Sequence, residues 1–418
     1  MLTKKTKIIC TMGPATDDDA VLKQLMLDGM DIARLNFSHG DHEEQLGRIN
    51  RIKKFREELN LPIAILLDTK GPEIRTGVLA GDDDVELAEG QTFTLTTKEV
   101  EGTNEIVSVT YAELPQDVSV GDTILIDDGL MELRVEEIKE GTDVVCKVIN
   151  GGMLGSRKGI NVPNVRVNLP SITEKDKADI EFGLENGIDF IAASFIRNAD
   201  AVKEIKAIIG AHNMHVGVIS KIENIEGVEN IDAIIDASDG IMIARGDLGV
   251  EIPAEEVPFM QKAIIKKCNN AFKPVVTATQ MLDSMIRNPR PTRAEVTDVA
   301  NAIYDGTDAI MLSGETAKGK YPVEAVRMMN QIAISTELHL DPKLKDFRTV
   351  YIHRGISAAV AFSAVQTAYN VNAKCILASS MSGFTARIVS KFKPDAQIIG
   401  LSPDPAVVRK MQLYWCVR

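Results

Sequence analysis

Eight short apolar segments, rich in β-branched residues, alternate with segments long enough to form amphipathic helices. Strands that alternate with helices pair in parallel, and eight such units are the number that closes a (β/α)8 barrel. An open, doubly wound sheet is the alternative. We therefore predict an α/β fold built on a (β/α)8 TIM barrel. The predicted strands cover residues 7–11, 32–37, 63–67, 190–195, 216–219, 241–244, 275–278 and 310–312.

The alternation stops after the third predicted strand. Short strand-like runs at 91–95, 106–111 and 124–126 are separated by Gly and Asp turns. We predict an inserted all-β domain over residues 72–167, within a catalytic barrel formed by residues 1–71 and 168–338. Because the insertion leaves the barrel where a loop follows a strand, it is placed to close over the barrel mouth as a lid.

A third unit follows the barrel. The pattern predicts helices that begin at Gly355 and Phe384, strands at 376–378 and 398–400, and one more helix. These elements predict a partial C-terminal α/β regulatory domain over residues 347–418. Residues 414–417 are apolar, and we expect them to require a partner strand that the chain lacks. We therefore interpret the domain as incomplete and the chain as truncated at Arg418.

Composition restricts the partners and the compartment. A net charge of −13 repels a polyphosphate backbone and the sequence has no basic patch, which argues against nucleic-acid binding. Apolar stretches are too short for a membrane span, and the one near the N-terminus is too short for a signal peptide. The five cysteines are scattered along the chain, and this spacing fits neither a disulfide framework nor a zinc site. We predict a cytoplasmic protein that binds neither membranes nor nucleic acids.

Polar residues cluster at the ends of the predicted barrel strands. In (β/α)8 barrels the C-terminal ends of the strands carry the active site, whereas the strand interiors only pack. We therefore expect these side chains to share one pocket. They are Arg34, Asn36, Ser38 and His39 after the second strand, Asp68 and Thr69 after the third, Ser194 and Arg197 after the fourth, Lys221 and Glu223 at the fifth, Arg245 and Asp247 after the sixth, Thr279 after the seventh, and Glu315 after the eighth.

Lys221 and Glu223 are two residues apart on a strand, so their side chains point to the same face. Glu223 and Asp247 supply two hard oxygens, the share that proteins usually give to Mg²⁺, and Lys221 can neutralise a phosphoryl group. This pattern predicts phosphoryl transfer. The alternative is a buried Lys221–Glu223 ion pair without a metal. The glycine-rich segment 246–249 is interpreted as a loop whose amide groups bind a carboxylate.

Four oxygen-bearing residues lie at adjacent strand ends: Asn36, Ser38, Asp68 and Thr69. They form a candidate site for a monovalent cation, and a hydrogen-bonded network at the strand ends is the alternative. The sequence has neither a Walker A motif nor Gly-x-Gly-x-x-Gly after a strand. A nucleotide would therefore be held without those loops.

Nine segments together resemble the pyruvate kinase family of the bacterial type. The resemblance covers residues 1 to about 335 strongly and continues more weakly to the end. The segments, in chain order, are TKIICTMGPA, RLNFSHG, LLDTKGPEIRTG, ASFIR, SKIEN, ARGDLGVEIP, ATQMLDSM, NPRPTRAEVTDVANAI and MLSGETAKGKYPVEAV.

The resemblance implies transfer of a phosphoryl group from phosphoenolpyruvate to ADP, giving ATP and pyruvate, in the last step of glycolysis. It also implies a homotetramer with Mg²⁺ or Mn²⁺ and K⁺ as cofactors. The implied roles are catalysis for Lys221, Arg34 and Thr279; substrate binding for Arg34, Lys221, Gly246, Asp247 and Thr279; Mg²⁺ binding for Glu223 and Asp247; K⁺ binding for Asn36, Ser38, Asp68 and Thr69; and nucleotide binding for Asn36, His39 and Arg75.

Two further expectations come from the resemblance. Members of the family that need K⁺ have Glu where this chain has Glu73, so we expect K⁺ dependence. The segment that contains Ser380, Ser382, Gly383 and Thr385 resembles the loop that binds the phosphate of a sugar-phosphate effector, and it opens a predicted helix. The residues that would hold the other end of such an effector are missing from this chain.

Two other functions compete with this interpretation. A lyase or aldolase that uses phosphoenolpyruvate would also place Mg²⁺ on acidic strand ends, but it gives no reason for the inserted lid domain. A degraded relative that acts only as a sensor or assembly partner would have lost a catalytic Lys, Glu or Asp. None of these is lost here.

Overall fold

The centre of the molecule is a closed barrel of eight parallel strands. The structure, a computed structural model, describes residues 3–212, 214–340 and 355–418. The first strand pairs with both the second and the last, which closes the ring and confirms the predicted fold class over the open sheet. The first part of the barrel consists of β1 (Lys7–Thr11), the 3₁₀ turn Pro14–Thr16, α1 (Asp19–Asp28), β2 (Ile32–Asn36), α2 (His42–Glu58) and β3 (Ala64–Asp68).

A β domain interrupts the barrel after β3. Its main sheet has seven strands in the order β4-β12-β8-β9-β10-β6-β7, and β5 and β11 form a separate pair. Alternate residues of the long strand β9 are buried, the pattern of a sheet with one face on a core. The elements are β4 (Ile74–Arg75), the 3₁₀ turn Ala80–Asp82, β5 (Val85–Leu87), β6 (Thr92–Thr96), β7 (Ile106–Ser108), α3 (Leu114–Asp117), β8 (Thr123–Ile126), β9 (Met131–Lys139), β10 (Asp143–Asn150), β11 (Gly152–Leu154) and β12 (Gly159–Asn161).

The barrel then resumes with five strands, and every residue in them is buried. Thr292 and Glu295 form a capping box at the start of the helix Arg293–Asp305. The elements are α4 (Glu174–Glu185), β13 (Phe190–Ala193), α5 (Ala199–Ala211), β14 (Gly217–Ile222), α6 (Ile225–Glu229), α7 (Ile231–Ala237), β15 (Gly240–Ala244), α8 (Arg245–Glu251), the 3₁₀ turn Ala254–Glu256, α9 (Val257–Asn270), β16 (Val275–Ala278), the 3₁₀ turn Asp283–Ile286, α10 (Arg293–Asp305), β17 (Ala309–Leu312), α11 (Gly314–Ala317) and α12 (Pro322–Glu337).

The C-terminal unit packs against the end of the barrel where the strands begin, opposite the polar strand ends. One apolar cluster contains Ile9 and Met311 of the barrel together with Phe392 and Trp415 of this unit. The two strands of the C-terminal unit pair with each other in parallel. The elements are α13 (Gly355–Asn370), β18 (Cys375–Ser379), α14 (Phe384–Lys391), β19 (Gln397–Leu401), α15 (Pro405–Lys410) and the 3₁₀ turn Met411–Leu413.

The apolar segment 414–417 is buried against other residues of this chain. Val417 forms a parallel bridge with Ile398 of β19, and the Cys416 amide donates to the Lys5 carbonyl at 2.8 Å. Trp415 is only 2% exposed. The expectation that this segment needs a strand from elsewhere is therefore wrong, because the base of the barrel supplies the missing apolar surface.

The domain limits at residues 71/72, 167/168 and 338 stay predictions. The limits at residues 1 and 347 lie outside the described residues. Among the helices that the structure describes, none combines the length and the apolar character required to cross a bilayer.

Candidate active site

A buried lysine occupies the centre of the polar strand ends. The Nζ of Lys221, on β14, lies 2.9 Å from Glu223 Oε1, 3.1 Å from Asp68 Oδ1 and 2.8 Å from Ser194 Oγ. Burial on its own lowers the pKa of Lys221, but Asp68 and Glu223 outweigh burial and raise it above its ordinary value. The side chain therefore stays a cation.

Asp68 joins this lysine to a second cation. Its Oδ2 accepts from Arg34 Nε at 2.6 Å, and Arg34 Nη1 also donates to Thr11 Oγ1 at 2.9 Å. Burial opposes ionisation of Asp68, yet Arg34 and Lys221 together hold its pKa below the ordinary value. The result is a fixed pair of positive groups, from β2 and β14, on either side of one carboxylate.

Glu223 is the buried acid of the site. Its Oε2 accepts from the backbone N–H of Phe195 at 2.5 Å, and Phe195 has a left-handed φ of 53°. Burial raises the pKa of Glu223 to about 7, Lys221 opposes this rise, and the nearby Asp247 adds to it. Asp247 is half-buried in the first turn of α8.

The residues present fit a hard divalent cation that takes only some of its coordinating oxygens from the protein and the others from substrate and water. Within the described part of the chain, no three His, Cys, Asp or Glu side chains are grouped to hold a metal by themselves. Mg²⁺ commonly takes only one or two carboxylates from a protein and fills its other positions with water and substrate phosphate. Glu223 and Asp247, which are close enough for the charge of one to act on the other, would supply those two carboxylates.

The predicted loop at 246–249 is wrong, because this segment is the start of helix α8. Leu248 is fully buried there, and its packing outweighs the helix cost of the two glycines. The Gly246 N–H donates to Thr279 Oγ1 at 2.7 Å, and Thr279 has a left-handed φ of 68°. Arg245 supports this backbone by donating to the Thr279 carbonyl at 2.7 Å.

The four candidate K⁺ ligands lie on neighbouring strand ends, as expected from the sequence. Asn36 and Asp68 are register partners in β2 and β3, and the Asn36 side-chain oxygen accepts from the Ser38 amide at 3.0 Å. Thr69 Oγ1 accepts from the Ser194 amide at 3.1 Å. Asp68 differs from the other three, because both of its oxygens already contact cations.

The residues expected at the nucleotide are divided between the barrel and the lid. His39 is exposed on the loop after β2, whereas Arg75 lies in β4, where it pairs with Glu73 at 2.7 Å. Arg75 lines a cleft of about 420 Å³ between lid and barrel, together with Asp128 and Asp247. Asn161 of the lid donates to Glu251 of α8 at 2.8 Å, so the lid touches the barrel here.

Two polar residues with central positions have no role in the prediction from sequence. Ser194 contacts Lys221, Asp68 and the Thr69 carbonyl. Gln45 is buried, and its amide donates to the Asn36 and His39 carbonyls at 3.1 and 2.9 Å, which holds the loop after β2. Ser194 has the signal of a strand end, but Gln45 is in the first turn of the polar helix α2 and has none.

Family models match both parts of the chain. Residues 3–326 match the barrel domain of pyruvate kinase, and residues 358–418 match its alpha/beta domain. Among curated relatives, pyruvate kinase of Geobacillus stearothermophilus is 55% identical over all of this chain, and that of Bacillus licheniformis is 55% identical over 99% of it. This chain spans 71% of the length of each of these two relatives.

A solved structure agrees with these matches. A pyruvate kinase from Cryptosporidium parvum superimposes with a TM-score of 0.96 at 44% identity, covering 99% of this chain and 86% of that one. The family models cover both the barrel that carries the polar strand ends and the unit packed beneath it. The chain belongs to the pyruvate kinase family.

Proposed function

We propose that this chain transfers the phosphoryl group of phosphoenolpyruvate to ADP, giving ATP and pyruvate, as the last step of glycolysis. The observation that carries the proposal is the Arg34–Asp68–Lys221 arrangement beside the Glu223 carboxylate. A phosphoryl group in transfer spreads negative charge over its oxygens, so fixed cations and a metal lower the barrier mainly by position and charge.

Different side chains of the site would bind the metal and the phosphoryl group. Glu223 and Asp247 would hold Mg²⁺ or Mn²⁺, which when bound neutralises negative charge on the phosphoryl oxygens. Lys221 and Arg34 orient the phosphoryl group from the barrel side, and Asp68 keeps both cations in place. Because the cations are fixed before substrate arrives, little reorganisation is needed during transfer.

The carboxylate of phosphoenolpyruvate is assigned to the amides of Gly246 and Asp247 and to Thr279. The Gly246 amide already donates to the Thr279 hydroxyl at 2.7 Å, so the substrate carboxylate must take over this donor as it binds. Thr279 Oγ1 also donates to the Ala278 carbonyl at 2.6 Å. To pass a proton to the enolate formed by transfer, the hydroxyl would turn away from the Ala278 carbonyl and then regain a proton from water. Asn36, His39 and Arg75 are assigned to ADP.

Formation of ATP and pyruvate from phosphoenolpyruvate and ADP, with Mg²⁺ and K⁺, tests the proposal. We expect robust activity in the unmodified chain and a loss of about 100-fold or more in kcat for Lys221→Met and for Glu223→Ala. Robust activity in these variants would overturn the site assignment. A lyase or aldolase would consume phosphoenolpyruvate without making ATP, and a degraded relative would show no turnover.

We also propose that Asn36, Ser38, Asp68 and Thr69 bind K⁺ and that the enzyme depends on it. The support is the position of these oxygens beside the phosphoryl cations together with Glu73, whose carboxylate lies 2.7 Å from Arg75. We expect activity to fall sharply when Na⁺ or a bulky organic cation replaces K⁺ at constant ionic strength. Undiminished activity in either salt would contradict the K⁺ assignment.

Three wider expectations complete the proposal: a cytoplasmic location, a homotetramer, and regulation by a sugar phosphate at the segment containing Ser380, Ser382, Gly383 and Thr385. Ser382 and Thr385 are exposed, and Gly383 has the left-handed φ of 79° from which α14 starts. Sedimentation equilibrium measures the number of subunits, and activation assays with sugar phosphates on a Thr385→Ala variant test the effector segment.

A further inference from the structure

A small cavity at the end of the barrel where the strands begin is lined by four side chains that can donate hydrogen bonds. It measures about 200 Å³ and lies between the beginnings of the barrel strands and the C-terminal unit. Barrel residues such as Phe190 and Pro274 form one wall. The donors on the other wall are Ser382, Arg387, Lys410 and Tyr414.

Arg387 and Lys410 are the two cations of the cavity. Within the described part of the chain neither one forms an ion pair, and the Nε of Arg387 is buried without a hydrogen-bond partner. The Arg387 guanidinium is held over the Phe384 ring, 5.3 Å from its centroid, so it is fixed in position. Both residues are half-buried, so an anion between them would compensate for the water that their cationic groups lose in the cavity.

One acid, Asp239, lines the cavity, and both of its oxygens are already engaged. Asp239 pairs with Lys206 at 3.2 Å through one oxygen and accepts from the Val218 amide at 2.9 Å through the other. Burial lowers the pKa of Lys410, Asp239 opposes this, and Arg387 lowers it further. Asp239 carries one negative charge against the two positive charges of Arg387 and Lys410, so it offsets only part of the positive charge of the cavity.

We propose that this cavity binds a phosphate group, either free or carried by a small metabolite. An arginine and a lysine supply two positive charges, and the arginine fork matches two oxygens of a tetrahedral anion. The hydroxyls of Ser382 and Tyr414 line the same space and can donate to the remaining oxygens. At about 200 Å³ the cavity is smaller than the roughly 300–1,000 Å³ of sites for drug-sized ligands, which favours a small anion over a nucleotide.

This site is different from the candidate effector segment. Of that segment, only Ser382 and Phe384 reach the cavity, while Ser380 and Thr385 do not line it. A phosphate bound here contacts the C-terminal unit through Arg387 and Lys410 and the barrel through its strand beginnings. Occupancy would therefore strengthen the attachment of the C-terminal unit to the barrel, and the proposal does not depend on the catalytic assignment.

Calorimetric titration with inorganic phosphate and, separately, with glycerol 3-phosphate tests the proposal at constant ionic strength. The Lys221→Met background weakens phosphate binding at the catalytic site. In that background we expect Arg387→Met and Lys410→Met to weaken binding by roughly tenfold or more, and Lys374→Met, which changes an exposed lysine that does not line the cavity, to leave it unchanged. Arg387→Lys keeps the positive charge and should retain part of the affinity for phosphate. A loss of affinity in Arg387→Met that Arg387→Lys partly restores comes from the lost charge and not from misfolding.

Three outcomes would overturn the proposal: no binding of either probe in the Lys221→Met background, binding that survives in both cavity variants, or binding that is lost only when the candidate effector segment is changed, in Ser380→Ala and Thr385→Ala. Preference for glycerol 3-phosphate over phosphate would identify a metabolite as the ligand, and equal affinity would identify free phosphate. ATP formation by the unmodified chain, measured in parallel, reports the catalytic proposal separately.

Discussion

The charges of the candidate active site nearly cancel before any ligand is present. Arg34 and Lys221 are positive, and Asp68, Glu223 and Asp247 become negative when all three are ionised. This leaves one negative charge near the place where an anionic substrate would bind, and burial counteracts it by raising the pKa of Glu223 to about 7. A divalent cation reverses the sign of the site, which explains on electrostatic grounds why phosphoryl transfer here would need a metal.

The substitution Glu223→Gln tests this account of charge. The amide oxygen can still accept from the Phe195 N–H, so the backbone contact is kept while the negative charge is lost. We expect Mn²⁺ affinity, measured by electron paramagnetic resonance, to fall by roughly tenfold or more. Glu251→Gln is the matched control, because Glu251 lines the cleft beside Asp247 but its carboxylate accepts from Asn161. An equal loss in both variants would contradict the assignment.

Part of this site follows from the sequence alone, and the reason is geometric. Lys221 and Glu223 share a face because strand side chains alternate, and strand ends gather at one end of a barrel. The bond from the Gly246 amide to Thr279 could not be predicted, because it depends on a helix start that resembles a glycine-rich loop. The role of Gln45 could not be predicted either, because it comes from hydrogen bonds to the carbonyls of Asn36 and His39 and not from a sequence pattern.

At the scale of elements, the lid is attached through a short hinge that a single arginine holds. Arg197, just after β13, donates to the carbonyls of Val167, Leu169 and Pro170, the segment by which the lid returns to the barrel. On the lid side, the Asn168 amide lies 3.0 Å from the Tyr111 hydroxyl. The hinge is thus tied to the barrel through Arg197 and to the lid through Tyr111.

Replacing Arg197 by Met should loosen this hinge. We expect the KM for ADP to rise roughly tenfold, which corresponds to about 1.4 kcal/mol of lost hydrogen bonding, and kcat to fall with it. Hydrogen exchange at residues 165–170 should become faster. The control is Arg166→Met, since Arg166 is exposed and pairs only with Glu229 in the part of the chain that the structure describes. If the hydrogen-exchange rate at residues 165–170 is unchanged in Arg197→Met, the hinge interpretation is wrong.

The elements themselves were largely predictable, because barrel strands are buried on both faces and appear as continuous apolar runs. The second strand ends at Asn36 rather than at residue 37, since Phe37 begins the loop held by Gln45 and Lys175. The burial of 414–417 beneath the barrel was not predictable, because apolar residues at the end of a chain do not reveal which surface they cover.

At the scale of the whole molecule, buried charges fasten the C-terminal unit to the barrel. Asp308, just before β17, accepts from Lys391 and, at 3.2 Å, from Lys393. Lys393 also lies over the ring of Trp415, 4.6 Å from its centroid. Burial lowers the pKa of Lys393 to about 8 from an ordinary 10.5, although Asp308 opposes the shift.

This shift predicts how stability depends on pH. Between about pH 8 and 10.5 the unfolded chain binds a proton that the folded chain has released, so the free energy of unfolding rises with pH in that window, by up to about 3 kcal/mol. Trp415 is the single tryptophan, so its fluorescence during urea unfolding follows this unit. Lys393→Met should remove the rise, and Lys374→Met, which changes an exposed lysine, should keep it. A rise of the same size in Lys393→Met would refute the account.

Closure of the barrel also sets an order of events in time. Strand β1 pairs with β17, and Lys7 and Ala309 are register partners that lie roughly 300 residues apart in the chain. At ribosomal rates of about 5–20 residues per second, β1 waits on the order of 15–60 s for this neighbour. During synthesis the nascent chain therefore carries an unpaired strand edge, the kind of surface that associates with other chains. Protection of that edge, for instance by a chaperone, becomes part of making the protein.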